Sequence, residues 1–476
     1  MSTVAAREVA VEPLSIERME ALIDPEDWAR LMEGLATAHS LLDGRQLWNV
    51  NSTAAGGGVA EMLRSWVGLA RGLGFGMRWL TISGSADFFA LTKRIHNMLH
   101  GSPGDGGPLG EEERAVYERV GRENADAVLA TLGPEDVVFL HDPQTAALAA
   151  PIAATGRKVV WRCHVGTDEE NEHSRAAWAF LEPYVTGADA VVFSREDYVP
   201  PCCEGMLQRI VPPSIDALSP KNQEIEAAVV EAILLQAGLL DVESDATPEY
   251  ELPDGSSRRV ERRCEVTSNG ALPGPECRIV TQVSRWDRLK DPVGVMRGFA
   301  FAAASGADAH LVLAGPSLGS VADDPEGAAV FAEVEAEWRA LPEETRARVH
   351  LACLPMEDLE ENAVIVNALQ RRSTIVVQKS LKEGFGLTVT EAMWKSRPVI
   401  ASAIGGIRDQ IEDGVSGVLL HDPIDLEGFG AATLELLNAP ARAAEIGLAA
   451  RERVRKAFLE DRHTLQYVDL LGELLR

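Results

Sequence analysis

Two carboxylates, Glu383 and Glu391, stand eight positions apart in the run Glu383-Gly384-Phe385-Gly386-Leu387-Thr388-Val389-Thr390-Glu391-Ala392-Met393-Trp394. Glycines at 384 and 386 let the backbone come close to a ligand and present its N–H groups as donors. A helix beginning at Leu387, just after that turn, directs its positive end at an anion or polar group held there. Glu391 falls just over one turn into such a helix, about two turns on from Glu383, near enough to line the same cleft. The set suits a ligand with a polyhydroxyl part and a phosphate part, which is how a nucleotide sugar is built.

Other chemistry-bearing groups follow apolar runs. Ser284-Arg285-Trp286-Asp287-Arg288-Leu289-Lys290-Asp291-Pro292 places Arg285 and Lys290 across a turn, where guanidinium and ammonium could hold a diphosphate and neutralise charge as it leaves. The same loop also reads as a solvated turn with ion pairs to Asp287 and Asp291. Ser52 to Gly58, with Gly56-Gly57-Gly58, lies between a strand and a helix and could bring backbone N–H groups against a phosphate or sugar, or serve only as a tight turn. It is neither a P-loop nor a G-x-G-x-x-G fingerprint. His141 and His164 each follow an apolar strand, where a histidine can donate to a sugar hydroxyl or a developing charge. Asp87, Lys93, His96 and Asn97 could supply a polar acceptor pocket, or be the wet face of an amphipathic helix. No D-x-D, H-E-x-x-H or Cys/His cluster offers a metal site, although Mg2+ could accompany a diphosphate. No G-x-S-x-G elbow is present.

The elements that must position these groups form two series. Leu14, Ile16, Met19, Leu22 and Ile23 predict a leading helix over 14–42. Strands are predicted at 46–51, 77–82, 137–140, 159–163 and 190–193, alternating with helical stretches. A second series runs through 277–283, 310–314, 348–351, 374–378, 398–401 and 417–420. The β-then-α rhythm implies parallel sheets covered on both faces, hence an α/β chain of two doubly wound, Rossmann-like domains, with ligands at the strands' C-terminal ends facing the cleft between them. The expected limits are 1–218 for the first domain and 219–455 for the second, with one long last helix from about Pro440 to Arg476, of which 456–476 packs back toward the first. Residues 241–276 lack periodicity and are rich in Pro, Gly, Ser and charge, so they read as an irregular insertion.

At 476 residues the chain exceeds one ordinary core. A net charge of −28 opposes binding to nucleic acid or an anionic membrane. No apolar run approaches the ~18 residues of a membrane span, Met1 to Glu20 has no apolar leader core, and the six cysteines show no C-x-x-C spacing. A cytoplasmic protein with reduced thiols is expected, with no protein partner implied beyond a homodimer.

Taken together, Glu383…Glu391, Arg285…Lys290 and Gly56–Gly58 resemble a retaining glycosyltransferase of the GT-B fold, family 4 type. Further blocks extend the similarity from about residue 46 to 470. They are Asn51-Ser52-Thr53, Phe88-Phe89, Thr92-Lys93, His96-Asn97, His141-Asp142-Pro143-Gln144, Trp161-Arg162-Cys163-His164 and Pro212-Pro213-Ser214-Ile215-Asp216, and they resemble the trehalose synthases that work by glycosyl transfer. The resemblance implies that a nucleoside diphosphate glucose (UDP-, ADP- or GDP-glucose, a co-substrate rather than a bound cofactor) gives its glucosyl group to free glucose, forming α,α-trehalose with retention. It implies that Arg285 and Lys290 hold the diphosphate, and that Glu391 accepts from the ribose hydroxyls. Glu383, with the N–H groups of Gly384, Phe385 and Gly386 and the start of the helix at Leu387, would bind the donor glucose. His164 would touch the donor sugar, Gly57 and Gly58 would approach the phosphates, and Asp87, Lys93, His96 and Asn97 would take the acceptor. Readings of another kind are a trehalose phosphorylase, a same-fold transferase with a different small acceptor, and a non-catalytic sugar-nucleotide sensor, which would be expected to have lost one of Arg285, Lys290, Glu383 or Glu391.

Overall fold

The computed structural model describes residues 6–54, 58–318 and 325–476. The chain divides into two compact units, one of Met1–Ser214 with Phe458–Arg476, the other of Ile215–Ala457. In the first unit the strands are β1 (Arg7–Glu8), β2 (Leu47–Asn51), β3 (Met77–Thr81), β4 (Val137–His141), β5 (Lys158–Cys163), β6 (Ala190–Phe193) and β7 (Leu207–Ile210). They form one sheet in the order β1-β3-β2-β4-β5-β6-β7, parallel throughout except for the antiparallel edge pair β1–β3.

The second unit carries β8 (Glu249–Glu251), β9 (Ser257–Arg259), β10 (Glu265–Thr267), β11 (Ile279–Val283), β12 (His310–Pro316), β13 (Val349–Leu354), β14 (Ile375–Gln378), β15 (Val399–Ser402) and β16 (Val418–Leu420). Its main sheet runs β10-β13-β12-β11-β14-β15-β16, and only β10 is antiparallel.

Alternate residues of a strand enter different cores, as the two-residue side-chain period requires. Val138 and Leu140 of β4 pack on one face of the first sheet, Val137 and Phe139 on the other. Leu311 and Leu313 of β12 join one cluster of the second unit, Val312 and Ala314 the other. Each such fully buried Val, Leu or Phe contributes about 1.5–3 kcal/mol, so strands covered on both faces are the most strongly fixed elements. This is why they read as continuous apolar runs.

Three elements depart from expectation. The leading segment is not one helix over 14–42. Only Glu17–Met19 forms a 3-10 turn, and the helix spans Pro25–Leu41. Proline drives the residue before it out of helical backbone, and Asp24 is extended at ψ 147°. The C-terminal helical stretch is broken at Leu459, also extended, into Pro440–Ala457 and Glu460–Leu474. No Gly or Pro marks that break, and Phe458 and Leu459 are both buried there.

The third departure is the 241–276 segment, which folds as the β8–β9 hairpin and the edge strand β10. Tyr250 and Val260 enter the core beside Leu239, Leu240 and Val364. Arg258 pairs with Asp358 and Glu360, while buried Glu361 accepts from the Glu261 and Arg262 N–H groups at 2.7 and 2.6 Å. The segment is held through the first turn of the helix Leu359–Arg372, by ionic contacts that leave no apolar period.

Candidate active site

The groups expected to bind the donor gather on three loops that follow the C-terminal ends of the adjacent parallel strands β11, β14 and β15. After β11, Asp287 accepts from the Leu289 N–H at 2.8 Å, and Gln282 Nε2 donates to the Lys290 carbonyl at 2.9 Å. Asp291, at a left-handed φ of +48°, caps the helix Pro292–Ala304 and is paired with fully buried Lys379. These contacts fix the backbone that carries Lys290. Its Nζ lies 2.6 Å from Glu383 Oε2, which also accepts from Ser380 Oγ at 3.2 Å. Both charged partners are mostly buried, at 18% and 10% side-chain exposure. The Leu381 N–H donates to the Leu289 carbonyl at 2.7 Å and ties the two loops together.

Glycines shape the turn that follows. Gly386, at φ +83°, starts the helix Leu387–Trp394, and a Cβ there would crowd Ile407 and Glu383 at 3.0 and 3.1 Å. From the β15 loop, Gly405 sits against the Glu383 and Gly384 carbonyls at φ +50°, and the Gly406 N–H donates to the Gly384 carbonyl at 2.9 Å. Gln410 joins the Phe385 carbonyl to the Thr390 hydroxyl. A rigid turn followed by a helix N-terminus therefore presents Glu383.

Glu391, on the same helix, is 2% exposed. Its Oε1 lies 3.1 Å from Lys221 Nζ, and its Oε2 is buried without a hydrogen-bond partner. Lys395, one turn further on, donates to the Glu391 carbonyl at 3.1 Å and to Asn222 Oδ1 at 3.0 Å. Burial pushes the Lys395 ammonium well below the ordinary lysine value, against the opposing pull of the Glu391 charge.

In the first unit, His141 ends β4 and His164 follows β5. His141 Nε2 lies 3.0 Å from Asn49 Oδ1, and its Nδ1 lies 3.1 Å from His164 Nε2. With the Asn49 oxygen facing it, Nε2 donates, Nδ1 accepts from His164 Nε2–H, and His164 Nδ1 is left as an acceptor. Burial, reinforced by the Arg162 charge, lowers His141 to about 3 and holds His164 well below the usual histidine value. Both imidazoles are neutral at pH 7, which suits exchange of hydrogen bonds with a hydroxyl rather than stabilisation of an anion. Asp142, whose Oδ1 accepts from the His164 N–H at 2.8 Å, is raised to about 6 by burial. Beneath them fully buried Arg162 donates to His463 Nε2 at 3.0 Å, to the Tyr467 hydroxyl and to the Val211 carbonyl.

Arg285 is 61% exposed and pairs with Asp287 at 2.9 Å. Gly58 opens the helix Gly58–Gly72, and Gly57 lies outside the described residues. Asp87, Lys93, His96 and Asn97 lie on the helix Ala86–Leu99. Helical spacing puts positions 93, 96 and 97 on one face and Asp87 off it. Asp87 and Lys93 are exposed, and His96 meets His100 edge-on at 5.0 Å. Among the described residues no group of three His, Cys, Asp or Glu side chains could hold a metal ion, and no helix is long and apolar enough to cross a membrane. Lys221, Lys395, Ser380 and Gly405 were missed in the sequence. Lys221, Gly405 and, through Asn222, Lys395 meet partners far away along the chain, whereas Ser380, three residues from Glu383, has a hydroxyl too ordinary to single out.

Residues 49–200 match the trehalose synthase N-terminal domain, and residues 272–453 match glycosyl transferases group 1. A trehalose synthase of Pyrococcus horikoshii is 35% identical, with 96% of each chain covered. Another, of Rubrobacter xylanophilus, is also 35% identical, covering 91% of this chain and 92% of that one. Among solved structures, a UDP-forming α,α-trehalose-phosphate synthase of Burkholderia xenovorans in complex with glucose-6-phosphate shares the fold at a TM-score of 0.66. It covers 90% of this chain and 100% of its own at 14% identity. Two doubly wound units of this kind make the chain an α/β protein of the GT-B class. Its sequence places it among the enzymes that transfer glycosyl groups: the chain belongs to the trehalose synthase family of group 1 glycosyltransferases.

Proposed function

We propose that the protein is a retaining glucosyltransferase that moves glucose from a nucleoside diphosphate glucose to the anomeric hydroxyl of free glucose, forming α,α-trehalose in the cytoplasm. The observation that carries this reading is a pair of largely buried carboxylates on one glycine turn and the helix that follows it. Glu383 is paired with Lys290 at 2.6 Å at the N-terminal turn, and Glu391 lies deeper, with one oxygen unpartnered. In this reading Glu383 and the turn 384–387 take the glucose hydroxyls, Lys290 and Arg285 the diphosphate, and Glu391 the ribose. The trehalose relatives point to glucose as the second substrate.

In the reaction, the bond from glucose C1 to the phosphate oxygen breaks as the acceptor oxygen bonds to C1 on the same face. The acceptor's proton passes to the departing phosphate oxygen, and Lys290 stabilises the charge that remains. No side chain has to form a covalent bond to the sugar. His164, neutral and with Nδ1 as an acceptor, is suited to holding a donor-sugar hydroxyl. Asp87, Lys93, His96 and Asn97 stay as candidates for the acceptor side.

The test mixes the protein with UDP-, ADP- or GDP-glucose and D-glucose. It follows release of nucleoside diphosphate and, by NMR, the symmetric anomeric signal of a non-reducing disaccharide. If no donor–glucose pair yields trehalose, the assignment fails. Trehalose broken down by inorganic phosphate without nucleotide would make it a phosphorylase, and product from another sugar alone would move the acceptor.

A further inference from the structure

We propose that Lys221 is a positioning residue of the nucleotide subsite. Its ammonium holds one oxygen of Glu391 so that the other stands as an acceptor for the ribose diol. The inference rests on the ribose role given to Glu391 above and extends it to a residue outside the glutamate motif.

Three observations converge on it. Lys221 Nζ lies 3.1 Å from Glu391 Oε1, and the carboxylate is 3% exposed. Keeping a carboxylate charged at this depth requires a counter-charge. Glu391 Oε2, equally buried, has no hydrogen-bond partner. A buried acceptor left unpaired is costly, and the hydroxyl of an entering ligand satisfies it.

The third observation is that the backbone carrying Lys221 is pinned on both sides. Asn367 Nδ2 donates to the Pro220 and Gln223 carbonyls at 3.0 and 2.9 Å, and Asn222 Nδ2 donates to the Asp216 carbonyl at 2.9 Å. Lys395 reaches Asn222 Oδ1 and the Glu391 carbonyl together, fastening this segment to the helix that carries Glu391. A surface lysine that happened to meet a carboxylate would have no such framework. The pair divides the carboxylate's work, with Oε1 anchored to the protein and Oε2 turned to the ligand.

The experiment is a binding cycle by calorimetry on the full chain. ADP and UDP are each compared with the 2′,3′-dideoxy counterpart, on the wild type, Lys221→Met and Lys221→Gln. The wild type should prefer the natural nucleotide by about ten- to a hundredfold, the worth of hydrogen bonds to a charged group. Lys221→Met should bind the natural nucleotide only as well as the dideoxy form, with dideoxy binding changed by less than about threefold. Lys221→Gln keeps a donor without the charge and should retain part of the preference; it also carries the test if the Met variant does not fold. Equal weakening of natural and dideoxy nucleotides, or an unchanged preference in a folded variant, overturns the role of Lys221. A wild type indifferent to the ribose hydroxyls instead overturns the reading of Glu391.

Discussion

Replacing Gly405 by Ala should disable the enzyme without unfolding it. At φ +50°, an added Cβ would lie well inside contact distance of the Glu383 carbonyl oxygen and 2.9 Å from that of Gly384. Non-bonded atoms prefer separations of about 3.5–4 Å, and both obstacles are backbone, which cannot rotate away. The 383–385 turn must therefore retreat by about 1 Å, carrying with it the Glu383 carboxylate and its pairing with Lys290. A displacement of that size at a reacting centre costs on the order of 10²-fold in rate. The left-handed backbone adds about 1–2 kcal/mol of instability for any non-glycine residue.

Gly414 provides the control, since it has φ +70° with nothing near its would-be Cβ. Gly414→Ala should pay the same conformational penalty and keep normal turnover. The assay is steady-state release of nucleoside diphosphate, with thermal melting of both variants alongside. If Gly405→Ala, folded, keeps kcat/KM within about threefold of Gly414→Ala, the rigid-turn account of Glu383 is wrong.

Lys290→Ala should lower kcat by about 10²–10³, the usual worth of one charge-stabilising donor. Arg285→Ala should cost less, because that guanidinium is largely exposed and engaged with Asp287; equal losses in the two variants would contradict the ranking. Stability should fall as pH drops below about 6.5, because His141, His164 and His463 have lowered folded values and stay neutral in the fold while the unfolded chain takes up protons. Each contributes about 1.4 kcal/mol per pH unit. Asp142, raised to about 6, and Asp461, also raised, work in the opposite sense, but the three histidines are joined by His310 and His350, whose values are lowered too. Thermal melting between pH 7 and 4 checks this, and a flat profile, or one that His141→Gln leaves unchanged, contradicts it.

What the sequence could and could not reveal follows from the kind of contact involved. Strands such as β4 and β12 are buried on both faces and declare themselves as unbroken apolar runs. β1 and β7 are edge strands with partly wet residues, and β8 to β10 are short and charged, so no apolar period marks them. Pro25 was the available signal for where the first helix begins, whereas nothing local marks the break at Leu459. In the site, Glu383 and Glu391 are tied to each other by helical spacing and are visible in one dimension. Lys290 was anticipated as a phosphate ligand, while its pairing with Glu383 across 93 residues appears only in the fold. Lys221 lies 170 residues from Glu391, and no spacing rule connects them.

The first unit is discontinuous: it opens the chain and is completed only by Phe458–Arg476. During synthesis, domains ordinarily mature in order from the N-terminus. Here the second unit has all its residues by Ala457, while Arg162 still awaits His463 and Tyr467. A helix made only after the whole second unit therefore furnishes the floor beneath His141 and His164. A chain stopped at Ala457 would carry a complete second unit beside an unfinished first one.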